Sequence, residues 1–107
     1  MDEPIYVPAP SGQEAIVVLI RDTERRPTEA DMRVIRSPVV AWRILRVGAL
    51  QAIPVLPREP FDYHHVLITL AEGRLYSMDI GETFYSLDEA LKILLHRAQT
   101  IWDRRHP

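Results

Sequence analysis

The stretch Ser86–Arg105, SLDEALKILLHRAQTIWDRR, decides the fold. Its apolar residues Leu87, Ala90, Leu91, Leu94, Leu95, Ala98, Ile101 and Trp102 recur at a spacing of three and four, which gathers them on one face of an α-helix. Ser86 and Glu89 form a capping box, in which hydroxyl and carboxylate each satisfy a backbone N–H that the first turn leaves free. Asp88 and Glu89 lie at the positive end of the helix dipole, Arg104 and Arg105 at the negative end. A helix of about 19 residues runs roughly 28 Å. Burying about five or six large side chains of its stripe, at about 1.5–3 kcal/mol each, contributes on the order of 10 kcal/mol before the entropy of ordering. Such a stripe needs a cover, and the rest of the chain reads as the sheet that provides it.

Immediately upstream, HHVLITL and RLYSMDI form a hairpin around Ala71-Glu72-Gly73, a three-residue loop with glycine in the bulge position. The register that keeps apolar residues together pairs Val66 with Met78 and Ile68 with Tyr76, leaving His65 opposite Asp79 and Leu67 opposite Ser77. A first hairpin lies in VVAWRILRVGALQAIPVL, turning at Arg46-Val47-Gly48 and pairing Ile44 with Leu50 and Trp42 with Ala52. Pro54 and Pro57 mark its second strand as an edge or as one that ends early. Further back, Ala15–Ile20 is unbroken, apolar and rich in β-branched residues, as expected of a strand buried on both faces. Thr28 reads as an N-cap with Glu29 and Asp31 in the first turn, so a short helix is expected over 29–36, ended by Pro38, although its apolar side is thin and RVIR suits an extended strand as well. Residues 1–13, broken by Pro4, Pro8, Pro10 and Gly12, read as an irregular arm ahead of a single domain over 14–107, although Ile5, Tyr6 and Val7 could dock on a neighbour. The expected fold is α+β: an antiparallel sheet of about five strands, made from two consecutive hairpins and an N-terminal strand, with the long C-terminal helix on one face.

Composition limits the function classes. The chain has 107 residues, 47% hydrophobic and 26% charged, which suits one soluble domain built on one core. Without cysteine there is no disulfide framework, thiolate nucleophile or Cys-ligated zinc. MDEPIYVPAP lacks the basic and apolar regions of a signal peptide, and no run reaches the ~18 apolar residues that span a bilayer. A cytoplasmic location away from any membrane is therefore expected. The formal charge of −2 is split between an acidic first third and a basic remainder. Twelve of the thirteen basic residues are arginine, the better fork-like binder of carboxylate and phosphate, although a codon bias would produce the same composition.

No constellation carries chemistry unaided. His64 and His65 point to opposite faces of a strand, so a shared metal requires the loop Asp62-Tyr63-His64-His65, and no second ligand pair supports one. His65 opposite Asp79 is a plausible dyad with Ser77 nearby, yet Ser77 and His65 are diagonal neighbours and no G-x-S-x-G elbow is present. Four scattered glycines exclude the dinucleotide-binding and Walker loops. Arg33, Arg36, Arg43 and Arg46 would make a nucleic-acid strip, with Trp42 near it, if the 33–36 segment lay beside the strand holding Arg43; the expected register puts Trp42 on the opposite face from Arg43, and the acidic N-terminal third would repel phosphate.

The sequence therefore points to a small bacterial-type interaction or accessory protein that binds a protein partner or itself. Its expected surface is the sheet face away from the helix, with Arg43, Gln51, His65, Ser77 and Asp79. Self-association is expected through a strand edge or through the helix stripe at Trp102. A nucleic-acid module on the four arginines and a small hydrolase or metal-dependent enzyme around His64, His65 and Asp79 are the weaker alternatives. No cofactor, metal or catalytic residue is assigned.

Overall fold

The computed structural model describes residues 5–58 and 65–107. Two antiparallel sheets and one C-terminal helix make an α+β fold. The strands are β1 (Ile5–Pro8), β2 (Glu14–Ile20), β3 (Met32–Pro38), β4 (Ala41–Val47), β5 (Ala49–Val55), β6 (His65–Thr69), β7 (Leu75–Ser77) and β8 (Thr83–Phe84), and the helix is α1 (Leu87–Arg105). The larger sheet runs β3-β2-β6-β7-β8 and the smaller one β1-β4-β5.

Strand β2 is paired on both sides, to β3 and to β6, and is buried on both faces. Alternation divides its side chains. Ile16, Val18 and Ile20 join Leu67, Leu75, Phe84, Ala90 and Leu94 in a core beneath the helix. Ala15 and Val17 join Ile68, Val39 and Leu56 in a second core, against which Trp42 packs from the smaller sheet. The five-stranded sheet is thus the middle of three layers, with α1 on one side and the β1-β4-β5 ribbon on the other.

The helix occupies the expected span, and Ser86 Oγ accepts from the Glu89 N–H at 3.2 Å. The Glu89 carboxylate reaches back one residue further than a capping box requires, to the Tyr85 N–H at 2.9 Å. Ala90 and Leu94 are fully buried; Leu87, Leu91, Ile93 and Ala98 pack around them. The last turns run past the sheet, so Ile101 is 49% exposed.

Three expectations need correction. The helix expected over 29–36 is one 3-10 turn, Glu29–Asp31, after which Met32–Pro38 pairs along its whole length with β2. The ladder with β2 outweighs the weak helical signal of Thr28, because Val34 and Ile35 suit an extended backbone. The N-terminal arm contains a strand: Ile5–Pro8 pairs with β4, Ile5 opposite Ile44 and Val7 opposite Trp42; residues 1–4 lie outside the described residues. The first hairpin is not part of the five-stranded sheet. Pro38 ends β3, the Val39 N–H bonds the Gln13 carbonyl at 3.0 Å, and the chain crosses to the opposite face with Val39 buried beneath it. Its register pairs Ile44 with Ala52 and Trp42 with Pro54, two residues from the expected alignment. A two-residue shift leaves every side chain on its expected face. As the position of Pro54 and Pro57 suggested, β5 is an edge.

The second hairpin has the expected register, Ile68 opposite Tyr76 and Leu67 opposite Ser77. Glu72 and Gly73 both take positive φ, at 63° and 75°, closing a three-residue loop across which the Leu70 N–H bonds the Arg74 carbonyl at 2.8 Å.

Because Leu94 is enclosed and Ile101 overhangs the sheet, the two substitutions separate along one helix. Leu94→Ala is expected to lower unfolding free energy by about 2–5 kcal/mol, and Ile101→Ala by about 1 kcal/mol or less, both read by urea denaturation.

Candidate functional site

The five residues expected on one exposed sheet face do not share a surface. Arg43 and Gln51 lie in the smaller sheet, on β4 and β5. His65 pairs with Val18 and Ser77 with Leu67, so both belong to the helix side of the larger sheet. Ser77 is fully buried there. The expected binding face away from the helix is therefore not formed; the packing of Val18 and Leu67 under α1 fixes the opposite orientation.

Strand β7 ends at Ser77, and the turn over 78–80 brings Asp79 back to the start of β6. Asp79 Oδ2 meets His65 Nδ1 at 2.5 Å, and Ser77 Oγ donates to Asp79 Oδ1 at 3.1 Å. The carboxylate is thus the centre of the cluster, oriented by the serine and orienting the imidazole in turn. A nucleophilic serine would have to reach the histidine instead. With Ser77 buried and bonded to Asp79, these three residues hold His65 in place and leave its Nε2 as the ring nitrogen without a partner among the described residues. His64 lies outside the described residues, and among those described no group of three potential ligands could hold a metal ion.

The expected arginine strip is dispersed as well. Arg33 and Arg36 are three apart on β3, and Arg43 and Arg46 three apart on β4, so within each strand the pair faces opposite ways. Arg36 lies 3.7 Å from the Glu14 carboxylate. The Trp42 indole, needed for stacking, donates to Gln13 Oε1 at 2.8 Å where the smaller sheet meets the second core.

Two features stand out in their place. On the helix side, a cleft of about 430 Å³ opens between the end of β2, the loop 21–27, the start of β6 and the last turns of α1. His65, Arg21, Arg97 and Arg105 line it together with Trp102. On the other side, the β1-β4-β5 ribbon carries exposed apolar residues: Ile5 is 65%, Tyr6 60% and Leu50 69% exposed. Arg43 and Arg46 are the only charged residues in its three strands. The sequence contained this second signal, since AWRILRV and ALQAIPV are apolar at adjacent positions and cannot cover both faces in a single core. The cleft could not be read there, because its residues come from three distant segments.

No protein-family model, curated protein or solved structure matches the chain. No helix among the described residues is long and apolar enough to cross a membrane.

The loop that frames the cleft is anchored by Asp31. Its carboxylate accepts from the Thr28 N–H at 2.8 Å and from both terminal nitrogens of Arg25, at 2.9 and 3.1 Å. The Thr28 N–H, and after it the Arg25 charge, lower the Asp31 pKa below the ordinary carboxylate value, against an opposing effect of burial. A carboxylate with a depressed folded pKa stabilises the fold above its unfolded value and loses that contribution as the pH falls through the lower folded one. Asp31→Asn should therefore lower the thermal midpoint at neutral pH, and the gap from the parent chain should close in melts run well below the ordinary carboxylate pKa.

Proposed function

We propose that the protein is an accessory protein that works by binding, and that the β1-β4-β5 ribbon takes up an extended, acidic and apolar segment of a protein partner as a further strand on β5. The exposure of Leu50, at 69%, on an edge that is open among the described residues carries this reading. Monomeric proteins usually guard such edges with charge or keep them short. Both edges of the larger sheet follow that practice: β3 carries Arg33 and Arg36, and β8 has two residues. From Ala49 to Ile53, β5 has neither charge nor proline, so its backbone is open to pairing as far as Pro54.

Charge selects the occupant. Arg43 and Arg46 have no carboxylate partner among the described residues, and the ribbon holds no acid of its own. A second copy of the ribbon would bring two more unpaired cations to the contact, whereas a partner strand with β-branched residues on the Leu50 face and carboxylates on the Arg43 face answers the apolar edge and one of the two cations. A basic or nucleic-acid ligand gains less here, since the two arginines face opposite ways and Trp42 is engaged by Gln13.

The test is an NMR titration with a synthetic peptide alternating valine and glutamate, and with its lysine counterpart. The acidic peptide should bind with a dissociation constant below about 1 mM and protect the Ala49–Ile53 amides from exchange. Leu50→Glu and the lysine peptide should each weaken binding by about tenfold or more. Equal binding of the two peptides, or concentration-dependent dimerisation abolished by Leu50→Glu, would rule out this occupant.

A further inference from the structure

We infer that the cleft between the loop 21–27 and the last turns of α1 is a second site, on the opposite side of the larger sheet from the ribbon, and that it binds a small organic phosphate monoester with an apolar body. It stands independently of the strand-addition reading, because it shares no residue with β5.

Charge is the first observation. Arg21, Arg97 and Arg105 line the cleft, and among the described residues Asp22 is the one acid that lines it. Elsewhere the arginines that frame this region are paired, Arg25 with Asp31 and Arg26 with Asp103, while these three have no carboxylate partner among the described residues. The helix dipole explains a cation at Arg105, in the last turn, but not Arg97 two turns earlier or Arg21 at the end of β2. Three guanidinium groups around one concavity match a dianion with several acceptor oxygens better than a single carboxylate.

The second observation is the frame. Arg26 Nε and a terminal nitrogen meet the Asp103 carboxylate at 3.0 and 3.2 Å, and Gln99 Nε2 donates to the Pro27 carbonyl at 2.9 Å. These contacts tie the loop to the helix at two points. His65 completes the polar side, with Nδ1 engaged by Asp79 and Nε2 left to meet a phosphate oxygen.

The third is the apolar wall. Ile101 is 49% exposed although it belongs to the helix stripe, and Trp102 is half-buried beside it, its ring stacked on His106 with centroids 3.9 Å apart. Trp102 Nε1 is buried without a hydrogen-bond partner among the described residues. A flat or aliphatic group resting on Ile101 and Trp102 would cover surface that the sheet leaves bare, and the volume of about 430 Å³ suits a ligand of that size.

The experiment is a nitrogen-15 NMR titration that follows the Trp102 indole N–H, identified by loss of the other indole signal in Trp42→Phe. Phenyl phosphate is the probe; inorganic phosphate, benzoate and benzyl alcohol are the comparisons. Phenyl phosphate should shift the signal saturably with a dissociation constant below about 1 mM, and each comparison should bind at least about tenfold more weakly. Arg97→Gln and Arg105→Gln, both at exposed positions, should each weaken binding by about tenfold with unchanged thermal midpoints. Arg33→Gln, an exposed change on β3, should leave it unaltered. No saturable shift, equal affinity for benzoate, or an equal loss in Arg33→Gln would overturn the assignment.

Discussion

Everything in this fold depends on β2 being wanted on both faces. Its residues alternate between two cores, with Ile16 and Val18 under the helix and Ala15 and Val17 under the ribbon, and all four are at most 1% exposed. A strand with one polar face would need a cover on one side only. Because β2 is apolar on both, the chain has to supply two covers, and it does so with elements of different character: one long amphipathic helix and one short three-stranded ribbon. Neither cover matches the size of the sheet it lies on. The helix runs past it at Ile101, and the ribbon extends beyond it at Ile5 and Leu50. The two candidate binding surfaces are these two overhangs.

The parts of the fold legible in the sequence were those fixed by short-range pattern. Helix α1 is set by spacing and by Ser86; the second hairpin is set by Glu72-Gly73 and by keeping Ile68 beside Tyr76; β2 declares its double burial in six apolar residues. What the sequence concealed was decided by partners far along the chain. Residues 32–38 are extended because β2 lies alongside them, although Thr28 and Asp31 start the turn that a helix would also use. The first hairpin belongs to a separate sheet because Pro38 and the Val39–Gln13 bond turn the chain across the larger one. Alternation within β4 and β5 gave their faces correctly but could not say which sheet they joined.

The site was less legible for the same reason. The His65–Asp79 contact expected from hairpin register is present, made by the turn after Ser77 and not by strand pairing, and its place on the helix side depended on how the whole sheet is turned. Arg21, Arg97 and Arg105 lie in segments that no local pattern connects. Trp102 had a visible signal, a large aromatic in the last turn, and it lines the cleft on the part of the helix that leaves the sheet.

The central claim, that double-sided burial of β2 holds the three layers together, is tested most directly by native-state hydrogen exchange. The amides of Ile16, Val17 and Val18 should exchange only through global unfolding, with the same denaturant dependence as equilibrium unfolding, while those of Leu50–Ile53 exchange through local opening. Exchange of the β2 amides by local opening, as fast as those of β5, would contradict it.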